Sequence, residues 1–263
     1  MADGAAQIDI RKSVSEAEWK ARVDLAALYR LTALYGWDDM IFTHISHRVP
    51  GPEHHFLINP YGWFFEEITA SSLVKVDLDG NIVQETDAMI NPAGFTIHSA
   101  IHAAREDAHV VMHLHTDQGV AVSSQKEGLL PISQTAMIVR EDVAYHDYEG
   151  VALDLDERER LVRDLGPNKH SMLLRNHGTL TCGETAAMTF SRMFFLERAC
   201  KMQIMALSAG RDGVLECDEA LQDKVAGQGG MTQHSSGMSK LTEMLVWPAL
   251  LRKLDRDLPG YAA

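Results

Sequence analysis

Cysteine is scarce in this chain: Cys182, Cys200 and Cys217 are the only three among 263 residues, and none lies in a C-x-x-C pair. That is too few for a disulfide framework, so a reduced protein of the cytoplasm is expected. Long apolar runs are missing as well. None approaches the ~18–20 residues that cross a bilayer. The N-terminus, MADGAAQIDIRKSVSEAEWK, lacks the apolar stretch of a signal peptide, and no membrane partner is expected. Positive charge is in deficit, 24 Lys+Arg against 37 Asp+Glu, for a net charge of −13. Such a surface repels phosphate backbones, which argues against nucleic acid as a partner. Charged residues at 23% and apolar residues at 46% match a folded globular chain and exclude general disorder.

Apolar spacing outlines the elements. Residues 13–36 read as a helix, with Ser13 and Glu16 as a capping box and Gly36 as the stop. Strands are expected at IFTHISHRV (41–49), HFLI (55–58), VVMHLHT (110–116) and SMLLRN (171–176), and a hairpin at 73–83 around Asp79-Gly80. FTIHSAIHAAR (95–105) has helical spacing, and a long helix runs from Glu184 to about Ala209, ended by Gly210. Its methionines, Met188, Met193, Met202 and Met205, read as packing. The acidic stretch 153–164 reads as a solvated helix. Residues 223–240, rich in Gly, Ser and Gln, read as a flexible link before a last helical stretch through Leu241, Leu245, Trp247 and Leu250. The sum is one α/β unit over residues 1–210, with 211–263 as a link and helical tail of the same unit.

Histidine is abundant, with 13 residues, and its placement is informative. His113 and His115 sit two apart on an expected strand, so both imidazoles project from one face. His177, between a strand and Gly178, is the best third partner. Three neutral imidazoles leave a fourth position open, the arrangement of a catalytic zinc. By spacing alone, two polar residues on a wet strand face fit equally well. His98 and His102 are four apart on a helix, but Ser99 stands where a zincin needs Glu.

The segments NPAGFTIHSAIHAAR, VVMHLHT, LLPIS, VAYHDYEG and LLRNHGTL, with IFTHISHR and INPYGWFFEEITASSLVKVDLDG upstream, together resemble the class II aldolase/adducin family, and most of all adducin heads and their bacterial homologues. The resemblance covers roughly residues 20–210. It implies a three-layer α/β/α fold with a mainly antiparallel central sheet. It also implies a homotetramer with sites at subunit interfaces. The metal ligands it implies are His113, His115 and His177, holding zinc or a similar ion such as manganese that stabilises an enolate during C–C cleavage.

Departures from the aldolase pattern narrow the substrate. The family's catalytic Glu falls at Gly94, and its phosphate-holding serines fall at Pro92 and Ala93. The Gly-Asn of its other phosphate loop falls at Phe42-Thr43. An unphosphorylated small molecule is therefore expected. His44 then becomes a relocated base, a substrate contact or a paired structural histidine. Thr43 and Asn176 are candidate substrate contacts, with Asn176 equally readable as a turn residue. Gln134 falls near the family's tyrosine acid and can donate to an oxyanion. Tyr261 matches a mobile C-terminal tyrosine able to give a proton. His98 is read as packing beneath the site, and Tyr145–Tyr148 as structural. The reaction expected first is aldol cleavage of a β-hydroxycarbonyl compound. Decarboxylation of a hydroxylated aromatic acid comes second, and a non-catalytic adducin-like domain third. The basic tail with which adducins act at the membrane skeleton is not seen before Ala263, which weighs toward an enzyme.

Overall fold

In a computed structural model that describes residues 10–151, 155–229 and 236–263, the first described elements are a short helix α1 (Ile10–Ser13) and then α2 (Glu16–Leu34). The cap of α2 is Ser15, whose hydroxyl accepts the Glu18 N–H at 3.1 Å. The expected Ser13–Glu16 capping box does not form, because the Ser13 hydroxyl turns back to the Ile10 carbonyl.

Next come β1 (His44–Arg48), β2 (Phe56–Ile58), β3 (Val74–Val76), α3 (Pro92–Ala104), β4 (Val110–Leu114), α4 (Asp117–Ser123), α5 (Gln134–Val139), β5 (Val143–His146), α6 (Glu157–Leu165), β6 (Ser171–Leu174), β7 (Gly178–Gly183) and α7 (Ala186–Leu207). The seven strands form one sheet in the order β3-β2-β1-β4-β7-β6-β5. Every pairing is antiparallel except β5 with β6. β1 is shorter than expected because Thr43, at φ 63°, leaves the extended region. The hairpin after β3 reduces to its Asp79-Gly80 turn and one bridge, Val76 to Ile82. The Asp77 carboxylate accepts the N–H groups of Asp79 and Asn81 and closes the turn, but the returning limb lies at an open edge.

The alternation of β4 divides the core. Val110, Met112 and Leu114 pack with α2, α7 and the C-terminal helix α10 (Trp247–Asp257), while Val111 packs with α3 and α6. A third cluster joins α4, α5 and α7 to β5 and β6. The architecture is α/β, with helices on both faces of a mainly antiparallel sheet, as the sequence implies. The expected flexible link is largely helical. Before α10 come α8 (Glu219–Gly229) and α9 (Ser236–Leu241), joined to α10 by a π-helical turn at Thr242–Val246. Gln222 and Ala226 of α8 are buried, and Arg140 on the neighbouring segment pairs with Asp223 and donates to Gln222, so tertiary packing overrides the glycine-rich composition. The part of the link at 230–235, and the start of the acidic stretch at 152–154, lie outside the described residues.

One buried hydroxyl joins α2 to the sheet where β1 and β2 diverge. Tyr29 Oη accepts the N–H of Ile45 at 2.8 Å and that of Asn59 at 3.2 Å, and its own proton is within reach of Asn59 Oδ1 at 2.8 Å. Ile45 directly follows His44, so this contact holds the start of β1 in place. Tyr29→Phe leaves two buried N–H groups without a partner and is expected to lower stability by about 1–3 kcal/mol in chemical denaturation.

Candidate metal centre

β4 projects His113 and Val111 from one face of the sheet, and His115 follows one residue past the strand's end. His177 stands in the tight turn between β6 and β7, closed by its N–H to the Leu174 carbonyl at 3.1 Å. That turn needs the left-handed region at Asn176, φ 55°, which an asparagine tolerates better than most side chains. Because β4 pairs with β7, the end of one strand and the start of the other meet. His113 Nε2 lies 3.0 Å from His115 Nε2, which lies 3.0 Å from His177 Nε2. The structure thus brings together the three histidines singled out from sequence.

The outer nitrogens show what this convergence is for. His113 Nδ1 faces the Thr179 carbonyl at 3.0 Å, and His115 Nδ1 faces the Asp39 carboxylate at 3.0 Å. Both partners only accept, so both Nδ1 atoms carry the hydrogen. In neutral rings the two Nε2 atoms then present bare lone pairs to each other. Burial, with His177 and His115 close by, holds His113 well below the ordinary imidazole value. Burial and His115 push His177 down to about 4. Neutral lone pairs converging at this distance repel unless a cation sits between them. Tetrahedral zinc with Zn–N bonds near 2.05 Å spaces its nitrogens roughly 3.3 Å apart, close to what is seen. The residues present therefore fit a divalent ion.

Residues beyond the triad brace it. Glu197 of α7, buried, takes hydroxyl hydrogen bonds from Thr116 and from Thr179, the latter at 2.7 Å. It thereby ties the residue after His115 to the residue whose carbonyl orients His113. Burial raises the Glu197 pKa, opposed by those two hydroxyls. Neither Glu197 nor Asp39 was among the residues read from sequence. A single Glu within the apolar helix segment FFLERAC is a signal for the first; Asp39 lies 76 positions from His115 and has none. A second grouping, Asp107, His170 and Glu184, is of a different kind, since Asp107 is paired with Arg105 at 2.7 Å and His170 lies against Asp142.

A cavity of about 410 Å³ opens over the histidines, and its wall includes Thr43, His44, Phe42, Tyr61, Ile97, Tyr148 and Val151. Thr43 Oγ1 is buried there without a hydrogen-bond partner. β1 pairs His44 directly opposite His113, and the two rings lie 5.5 Å apart. Burial, then His115 and His177, push His44 down to about 3. Its ring lies on the first turn of α3. A Cβ at position 94 would fall 2.4 Å from His44 Cδ2 and 2.6 Å from its Nε2, so only glycine leaves room for this imidazole. Asn176 sits in the turn that carries His177. Gln134 and Tyr261 are not on the cavity wall of this chain: Gln134 is exposed on the first turn of α5, and the Tyr261 ring is packed in the core against α2 and α10. Tyr148, read from sequence as structural, is instead half-exposed on the wall, 6.4 Å from the His177 ring.

The first expected outcome concerns metal content. Elemental analysis of the purified protein should find about one divalent ion per chain, absent from His113→Ala. Asp39→Asn, which weakens the orientation of His115, should lower metal affinity about 10–100-fold.

A second concerns acid. His44 and His102 both sit at about 3, mainly through burial, against about 6.5 in an unfolded chain. Below about pH 6.5 the unfolded chain binds protons that the folded one refuses. Stability should therefore fall as pH drops from about 6.5 toward 3, by on the order of 1.4 kcal/mol per pH unit for each of these histidines. Urea denaturation of the metal-free protein at pH 7, 6 and 5 checks this, and a flat profile would contradict it.

Residues 23–204 match the sequence profile of the class II aldolase and adducin N-terminal domain. A class 2 aldolase-type protein of Caulobacter vibrioides is 67% identical over 263 residues, which is 100% of both chains. The crystal structure of an aldolase II superfamily protein from Pseudomonas syringae superposes with a TM-score of 0.89 at 51% identity, covering 97% of this chain and 99% of that one. L-fuculose 1-phosphate aldolase from Glaciozyma antarctica superposes at 0.78 with 26% identity, covering 97% and 96%. This chain belongs to the class II aldolase/adducin family.

Proposed function

We propose that this protein is a divalent-metal-dependent carbon–carbon lyase that cleaves an unphosphorylated β-hydroxycarbonyl compound. Zinc is the ion assigned to His113, His115 and His177, with manganese or a similar ion as the alternative. Held by these three histidines, a divalent ion would supply Lewis-acid chemistry at a substrate carbonyl. As the carbon–carbon bond breaks, His44 Nε2 takes the proton of the β-hydroxyl, releasing the aldehyde, and returns that proton to the carbon next to the carbonyl. Thr43 Oγ1 offers a hydrogen bond to a substrate oxygen, and Asn176, a substrate contact by resemblance, holds the turn that aims His177. The family implies a homotetramer, and the scarcity of cysteine implies a protein of the cytoplasm.

The observation that carries this reading is the exchange at position 94. In the sugar-phosphate aldolases that this sequence resembles, a Glu at this place serves as base. Here the side chain is absent, and His44 Nε2 stands 2.6 Å from where its Cβ would be. An imidazole delivered by β1 thus occupies the space that a carboxylate on α3 would enter. Loss of the phosphate-holding residues at Phe42, Thr43 and Pro92 supports a substrate without phosphate. A second reading, decarboxylation of a hydroxylated aromatic acid, is favoured by the aromatic wall of Phe42, Tyr61 and Tyr148.

A panel of hydroxycarbonyl and hydroxyaromatic acids, assayed for aldehyde and for carbon dioxide with and without chelator, separates the two. Aldehyde release abolished by chelator is the expected result. His44→Ala should lower kcat about 10²- to 10⁴-fold while keeping its metal, whereas His113→Ala should lose both. A metal-loaded protein with no turnover on any member would point to an interaction domain instead.

A further inference from the structure

Behind His44 lies a row of buried polar side chains that no other part of the proposed chemistry uses. His44 Nδ1 is 3.1 Å from His98 Nε2, His98 Nδ1 is 2.5 Å from Ser46 Oγ, Ser46 Oγ is 2.7 Å from His102 Nε2, and His102 Nδ1 is 3.0 Å from the Ala108 carbonyl. All are buried. Both helical histidines come from the same face of α3, four residues apart, and Ser46 is two residues from His44 on β1, so one helix and one strand build the whole row.

The far end determines every hydrogen along it. The Ala108 carbonyl only accepts, so His102 Nδ1 carries a hydrogen. In a neutral ring His102 Nε2 is then bare and must accept the Ser46 hydroxyl proton. With its only proton so used, Ser46 Oγ faces His98 as an acceptor, and His98 Nδ1 carries a hydrogen. His98 Nε2 is bare and accepts from His44 Nδ1. His44, its one hydrogen committed at Nδ1, presents a bare Nε2 over Gly94. Burial keeps His98 and His102 neutral, pushing His102 down to about 3 and His98 well below the ordinary value. Arg48, whose charge also acts on His102, donates to the backbone carbonyls of His102 and Arg105 rather than to the His102 ring.

We infer that His98, Ser46 and His102 are positioning residues: a hydrogen-bonded chain anchored on the Ala108 carbonyl that fixes His44 as the tautomer with Nε2 free to accept a proton. The inference rests on the reading of His44 as the base. A chain of this kind specifies which nitrogen is the base without touching substrate, and breaking it at Ser46 releases the choice.

Neutron diffraction from crystals of the deuterium-exchanged protein tests this directly. Deuterium is expected on Nδ1 of His44, His98 and His102, with the Ser46 deuteroxyl directed at His102 Nε2. Deuterium on His44 Nε2 in the wild type would overturn the inference without recourse to any variant. In Ser46→Ala, His44 Nε2 should gain deuterium, and Ser46→Thr, which keeps the hydroxyl, should restore the wild-type pattern. An alanine variant that keeps deuterium on Nδ1 alone would show that the chain does not set the tautomer. Once a substrate is found, Ser46→Ala should lower kcat about 10–100-fold at unchanged KM, with recovery in Ser46→Thr. The expected deuterium pattern in a protein without lyase activity would leave the chain standing and remove only the proposed reaction.

Discussion

Two imidazole nitrogens 3.0 Å apart, each stripped of its hydrogen by a partner on the far side of the ring, set the terms for the rest of the molecule. Burial keeps His113 from taking up the proton that would otherwise relieve them. The fold holds this arrangement by covalent and hydrogen-bonded necessity: β4 supplies His113, its exit supplies His115, and the antiparallel neighbour β7 begins beside them with His177 at its turn. Glu197 then links the two segments through hydroxyls of Thr116 and Thr179. An ion held there would relieve the repulsion, and its binding would then be coupled to the stability of this corner of the sheet.

The same sheet sets the distance between the histidine cluster and His44. His44 and His113 are direct cross-strand partners, and their spacing is a property of strand pairing rather than of flexible loops. The polar row behind His44 extends the principle into α3. His113, His44 and the polar row hang from β1, β4 and α3, with His115 just past the end of β4 and His177 brought alongside by the β6–β7 turn, so regular elements carry most of the arrangement.

Much of this was legible in the sequence. The H-x-H pair, His177 before Gly178, and the family motifs around them pointed to the fold and to the convergence of three histidines, because strand periodicity is local and those residues are strand neighbours. His44 was visible as a residue of interest, but its contact with Gly94 was not, since it joins a strand to a helix some fifty positions away. Asp39 is silent for the same reason. Ser13 misled because Ser15 caps equally well and has Glu18 in the right place. The supposed link at 223–240 misled because glycine content reports local freedom, while Gln222 and Ala226 obey packing against α5. Tyr261 matches a family tyrosine by its place near the C-terminus alone, and within this chain its ring serves the core.

The close approach of His44 to Gly94 has a consequence for how such sites can change. A side chain on α3 and an imidazole on β1 compete for one volume, so the two forms of the pocket exclude each other sterically. A pocket of the carboxylate form cannot gain the imidazole while any side chain remains at 94, and a pocket of the imidazole form cannot regain the carboxylate while His44 stays. Any route between them passes through a glycine-bearing, base-poor intermediate. Position 94 therefore acts as a ratchet on the chemistry of this pocket: substitutions at the two places are not independent, and their effects will not add.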